Sequence, residues 1–221
     1  MLRTLARETP KVPWLMLLGA LAAGPAGSQL PPETGASFEL PADPEAVVLE
    51  FREIVGMIAE GDRGPSLMIR ADGSGVVHFP VYMSRAGTYE LRIPTSELRE
   101  LVASLVAEGL VEMDPAAMRR ARDRAEAEAA RRAREEGGAL VAVSDRSTSV
   151  VALRLAEYRR VPGGPVQRDV EKKVVWHGLR SDAERFPGVA GLAGLQRVVD
   201  ALEAYLTHPG LIRLDEEGSP P

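Results

Sequence analysis

Residues 66–110 read SLMIRADGSGVVHFPVYMSRAGTYELRIPTSELRELVASLVAEGL, and the fold turns on this stretch. Leu67 and Ile69 alternate with Ser66, Met68 and Arg70, the period of two that sends alternate side chains to one face of a strand. Asp72-Gly73, within Ala71-Asp72-Gly73-Ser74-Gly75, is a hairpin signal, because glycine supplies the positive φ of a tight turn. A third strand is expected over residues 76–82 and a fourth over 88–93, opened by Gly87. At Pro94-Thr95 the period changes. Leu98, Leu101, Val102, Leu105 and Val106 recur every three or four residues, the apolar stripe of a helix lying on a sheet. Thr95 is its expected N-cap and Gly109 its expected end.

The same theme recurs further along. Upstream, Val47, Val48, Leu49, Phe51, Ile54, Val55 and Met57 form one long β-prone run with room for a bulge. Downstream, strands are expected over residues 139–143, 148–158 and 170–179, and a helix over 192–206 with Leu195, Val198, Val199, Leu202 and Leu206 on one side. Strands in runs joined by short turns, each run followed by a helix, argue for an α+β fold. The expected architecture is an antiparallel sheet of six to eight strands with two amphipathic helices packed on one face, plus a projecting charged helix. That helix follows Asp114-Pro115, an N-cap and first-turn proline. From Ala116 to Glu136 it holds seven arginines, five acids and eight alanines, so it has little to bury beyond Met118 and alanine methyls. Its charges are spaced for pairing of Asp123 with Arg119 and Arg120, and of Glu128 with Arg124, Arg131 and Arg132.

The first residues have the three parts of a secretory signal: basic Arg3, Arg7 and Lys11, an apolar run over residues 12–23, and small residues before Ser28. The apolar run is 12 residues, short of the roughly 20 that span a bilayer. The expected organisation is a signal over 1–28, a flexible proline-rich linker over 29–45, and one α+β domain over 46–208. The domain comprises two similar halves (46–113 and 138–208) joined by a charged helix (115–136), and a disordered tail follows over 209–221. Export places the protein in the periplasm or outside the cell. Removal of the signal leaves 24 basic and 31 acidic residues, a net charge of −7, which argues against nucleic acid as a partner. No integral membrane span is expected after cleavage. With no cysteine in 221 residues, disulfides, thiolate zinc sites and thiol nucleophiles are excluded.

No motif specifies a reaction, and neither a metal nor a cofactor is implied. Of the three histidines, His78 and His177 each fall in an expected strand, one in each half; with Asp72 or Asp145 nearby they are the candidate catalytic set of a hydrolase. His208 follows the last helix, where a cation suits the C-terminal dipole. Gly73-Ser74-Gly75 lacks the spacing of a nucleophile elbow, and the glycines at 188, 191 and 194 match neither a phosphate loop nor a dinucleotide fingerprint. These glycines are expected to let the last helix approach the sheet. Trp176 is expected to pack in the core against that helix.

Asp145-Arg146-Ser147-Thr148 followed by a strand, Phe186-Pro187 before a leucine-rich helix, the Asp72-Gly73 hairpin and Gly87-Thr88-Tyr89 together resemble segments of exported bacterial proteins classed as domains of unknown function. Where those carry a second threonine after the Asp-x-x-Thr turn, Ser149 stands here. The resemblance spans residues 47–206 and implies a fold, not a catalytic residue. In architecture the chain is also similar to small bacterial metallopeptidase inhibitors of the emfourin kind, without their Gly-Gly-Phe segment; a rigid projecting loop over residues 83–86 would serve that role. The leading expectation is an exported, non-enzymatic binding or interaction module, with Ala116–Glu136 read first as a solvated or partly disordered projecting helix and, as the alternative, as the place where an unknown protein partner docks. A hydrolase and a protease inhibitor are the alternatives.

Overall fold

A computed structural model describes residues 35–56, 64–137 and 146–214, all within one compact unit of the chain. The elements in order are β1 (Ser37–Glu39), β2 (Val47–Ile54), β3 (Ser66–Arg70), β4 (Ser74–Phe79), β5 (Gly87–Arg92), α1 (Thr95–Ala107), α2 (Pro115–Glu135), β6 (Thr148–Arg159), β7 (Gln167–His177), α3 (Leu179–Arg185), α4 (Leu192–Tyr205) and β8 (Ile212–Arg213). The eight strands form one open antiparallel sheet. β6 organises it. On one side β6 pairs with β7 from Thr148 to Tyr158. On the other it pairs first with β2 and then, at its far end, with β1. From β2 the sheet continues as a meander through β3, β4 and β5, and β8 closes the edge beside β5.

The alternation read from the sequence sets the two faces. Leu67, Ile69, Val77, Leu91, Phe51, Leu49, Val151, Leu153, Val174 and Trp176 face one way and are buried. α1 and α4 cover that face with Leu98, Leu101, Val102, Leu105 and Val106 from one helix, and Leu192, Leu195, Val198, Val199 and Leu202 from the other. Burying such side chains is worth roughly 1.5–3 kcal/mol each, which makes this double stripe the main source of stability. The pairing of β2 with β3 shifts register between Val47 and Leu49. The extra residue lets adjacent Val48 and Leu49 both be buried, as a bulge permits.

Several boundaries differ from expectation. The strand that begins near Val76 stops at Phe79, because Pro80 has no N–H to continue the ladder. α1 does begin at Thr95, but Pro94 occupies the cap position and no side chain caps the helix. Within the 29–45 linker, β1 pairs with β6. Within the 209–221 tail, Ile212 and Arg213 pair with β5 and the Leu214 N–H bonds to the Thr88 carbonyl. Both additions are short edge strands that satisfy otherwise open backbone groups, and neither carries the long apolar pattern by which a strand is recognised. The expected strand at 139–143 lies outside the described residues.

Candidate interaction site

α2 combines exposure with a specific anchorage. The Asp114 carboxylate accepts hydrogen bonds from the N–H groups of Ala116 (2.9 Å) and Ala117 (3.0 Å), and Pro115 fills the first turn. These bonds hold the Asp114 carboxyl below its usual range; the Ala117 bond contributes most, and a small loss of hydration opposes it. One stripe of the helix faces the body: Met118 is buried, and Ala121, Ala125 and Ala129 pack against the core. Met118 seats on Gly191, whose backbone has φ +90° and where any Cβ would stand 3.0 Å from the Met118 sulfur. Gly194 likewise lies against the Glu108 carbonyl. These glycines therefore admit the α1–α2 connection and α2 rather than the sheet.

The centre of the anchorage is Asp182 on α3, a carboxylate only 1% exposed. Three donors from three separate elements converge on it: Arg122 Nε of α2 at 3.2 Å, Arg146 of the segment before β6 at 3.2 Å, and the Trp176 indole N–H of β7 at 3.1 Å. A buried carboxylate is tolerated only when paired and hydrogen-bonded, and this one is both. Burial works against the Arg122 charge, but hydrogen bonds and charges from Asp123, Asp182 and Glu126 more than offset it, so its pKa is raised. Gly178 keeps Arg146 in place: at φ +70°, a Cβ there would lie 2.5 Å from Arg146 Cδ. Arg119 ties the helix to β7 through the Val175 carbonyl (3.3 Å), and Lys172 Nζ ties the connection just before it through the Met113 carbonyl.

The expected intrahelical pairs are replaced by others. Arg122 pairs with Asp123 (3.0 Å) and Glu126 (2.7 Å), and Arg131 with Glu135 (3.9 Å). Arg122 turns toward the body and still reaches Asp123 and Glu126 on its own helix. The helix projects only in part. Its N-terminal two-thirds lie on the body, and its last turn carries exposed Arg131, Arg132, Arg134 and Glu135.

The two strand histidines are not brought together. His78 is on β4 and His177 on β7, with β3, β2 and β6 between them. At about 4.8 Å per strand that is roughly 19 Å. Each ring instead meets a threonine across a strand pair: His78 Nδ1 with Thr88 Oγ1 at 3.2 Å, and His177 Nδ1 with Thr148 Oγ1 at 3.1 Å. Asp72 caps its own turn by accepting from the Ser74 N–H at 2.8 Å. Hydrogen bonds to Ser74 hold its carboxyl below the usual range. Asp145 lies outside the described residues. The His208 backbone N–H bonds to the Tyr205 carbonyl at the end of α4 (3.3 Å), while its ring stacks on Tyr205, lies 3.6 Å from Glu97 and accepts from the Gly210 N–H. In the loop over residues 83–86, Met83 packs on the core and Arg85 lies over the rings of Phe79 and Tyr89, so the loop is folded back on the sheet.

Two surface depressions accompany the sheet. One of about 550 Å³ lies on the face away from α1 and α4, lined by Ile54, Met68, Val76, Val150 and Val175 with charged Glu50, Arg52 and Lys173. The other, about 470 Å³, lies between α4 and the ends of β2 and β6 and includes Glu53, Ser149, Gln196 and Glu203. Burial, and then the charge of Glu53, pushes the Glu203 carboxyl above its ordinary value. Among the described residues no group of three or more His, Asp or Glu side chains is placed to hold a metal ion, and no helix is long and apolar enough to cross a membrane.

The Asp182 cluster is a feature the sequence reading missed. Its one signal was Trp176: a buried indole N–H needs an acceptor, and Asp182 is the next acid along the chain. No family model, curated protein or solved structure matches the chain.

Proposed function

We propose that this protein is exported and acts outside the cytoplasm as a non-enzymatic binding module, with α2 as the element it presents to a protein partner. The observation that carries this reading is the Asp182 cluster. α2 adds little to the apolar core, yet one buried carboxylate, two arginines and an indole fix its position. Buried polar clusters contribute little net stability but can specify one arrangement. A helix held that way is suited to presentation rather than to folding. The basic head, apolar run and small-residue exit of residues 1–28 support export. The roughly 19 Å between His78 and His177 weighs against a hydrolase built on that pair.

The test uses the full chain expressed in a bacterium, carrying a photo-crosslinker in place of Ala127, on the exposed side of α2, or in place of Glu171 on β7. The reading expects the chain outside the cytoplasm, shortened near residue 28, with a crosslinked product of one discrete mass from position 127 and none from 171. A chain that stays in the cytosol with its N-terminus intact contradicts export. Equal products from both positions, or none from 127, contradict presentation by α2.

A further inference from the structure

The side of α2 opposite its anchorage is basic. Arg120, Arg124, Arg131 and Arg134 are all exposed. At 3.6 residues per turn they fall within an arc of about 80°, centred roughly opposite Met118, Arg122, Ala125 and Ala129. Their Cα atoms span 14 residues, about 21 Å of helix. Arg120, Arg124 and Arg134 make no ion pair with another described residue, and Arg131 has only the loose, exposed contact with Glu135. The row stands on a chain whose overall charge is −5, so the field along this one helix is opposite in sign to that of the protein.

We infer that this arginine row is a docking surface for an acidic helix of a partner protein. The inference rests on the reading of α2 as the partner-facing element and names the partner's chemistry. Charge complementarity chooses the sign, and the guanidinium fork favours carboxylates it can engage with two bonds. The acids flanking the row choose among polyanions. Asp123, Glu128 and Glu135 are exposed beside the arginines and repel a continuous anionic field such as a bilayer surface or a nucleic-acid duplex. Discrete carboxylates spaced on a helix avoid them. The outward face offers Ala127 and no larger apolar side chain, so it has nothing to insert into lipid. Carboxylates three, four and seven residues apart on a facing helix match the separations of Arg120, Arg124, Arg131 and Arg134.

The test measures binding of the full chain to a fluorescent 21-residue alanine–glutamate helix with glutamates at such spacings, against vesicles containing phosphatidylglycerol and a DNA duplex. The inference expects saturable binding to the peptide that weakens as salt rises, at least about tenfold tighter than to either other probe. Replacing Arg120→Glu and Arg131→Glu together should abolish it. Replacing Arg154→Ala and Arg168→Ala together, which removes two positive charges from the sheet, should change it less than about twofold. Unchanged circular-dichroism melting shows that both double variants remain folded; a double variant that does not fold is replaced by Arg120→Gln with Arg131→Gln, which is expected to weaken binding at least about tenfold. Preference for vesicles or DNA, equal loss in both double variants, or no peptide binding overturns the inference. If crosslinking from position 127 still yields its discrete product in that case, α2 remains the partner-facing element and only the acidic helix is excluded.

Discussion

α4 and α2 lie on the same body but are held by different physics. α4 has no side-chain N-cap; Gly191 stands at that position, and five buried apolar side chains on one stripe, Leu192, Leu195, Val198, Val199 and Leu202, hold the helix to the sheet. α2 has a capped and proline-primed start, one buried residue, and a set of directional bonds ending on Asp182. Apolar burial is non-directional and tolerates small shifts, so it decides that a helix packs. A hydrogen-bonded ionic cluster is worth little net energy but is satisfied in one geometry, so it decides where. The molecule uses the first device for its core and the second for α2, the element we propose it presents to a partner.

The sharpest way to break the contrast is to place a charge in the α4 stripe. Leu202 is fully buried, and Leu202→Asp strands an unpaired carboxylate in the core. Loss of the cooperative melt in circular dichroism is expected; Leu101→Asp on α1 should behave alike. A smaller effect is expected from Trp176→Phe, which keeps an aromatic ring in the core and removes one donor from Asp182. A hydrogen bond to a charged group is worth about 1.5–3 kcal/mol, so denaturant unfolding should show a loss of that order without change in fold.

These two effects also mark how much was legible in the sequence. The stripes of α1 and α4 and the strands of the meander were readable because burial imposes a period on the side chains, as Leu98-Leu101-Leu105 and Leu67-Ile69 show. β1 and β8 were not, because three- and two-residue edge strands have no period to display. The Asp182 cluster was illegible for a different reason. Arg122, Arg146 and Asp182 are 24 and 36 residues apart along the chain, and each alone reads as an ordinary surface charge. Only the folded chain shows that α3, β7 and α2 meet there. The same holds for the histidines: the sequence placed each on a strand, but not the three strands that separate them.

Acid should separate the two helices further. The Asp114 carboxyl has its pKa lowered from 3.8 in the folded chain, so the stability it lends is present above that value and lost as pH falls through the lower folded value. The start of α2 should therefore fray below about pH 3.8, while α4, with no titrating cap, does not share this step. Residue-resolved amide exchange on acidification checks this, and Asp114→Asn should remove the step. The smallest expected effect is at the exposed Arg154–Glu171 pair (3.1 Å) on β6 and β7. Arg154→Ala should shift stability by less than about 1 kcal/mol and leave both helices unaffected in the same exchange experiment.

The most direct measurement is amide hydrogen exchange at neutral pH on the full chain and on Asp182→Ala. Removing the shared acceptor leaves Arg122 and Arg146 without their buried partner, a loss of about 3–5 kcal/mol for a buried pair. α2 amides are predicted to exchange faster by at least about a hundredfold, with α1 and α4 unchanged. If α2 keeps its protection, or if all three helices lose protection together, Asp182 is not what positions α2.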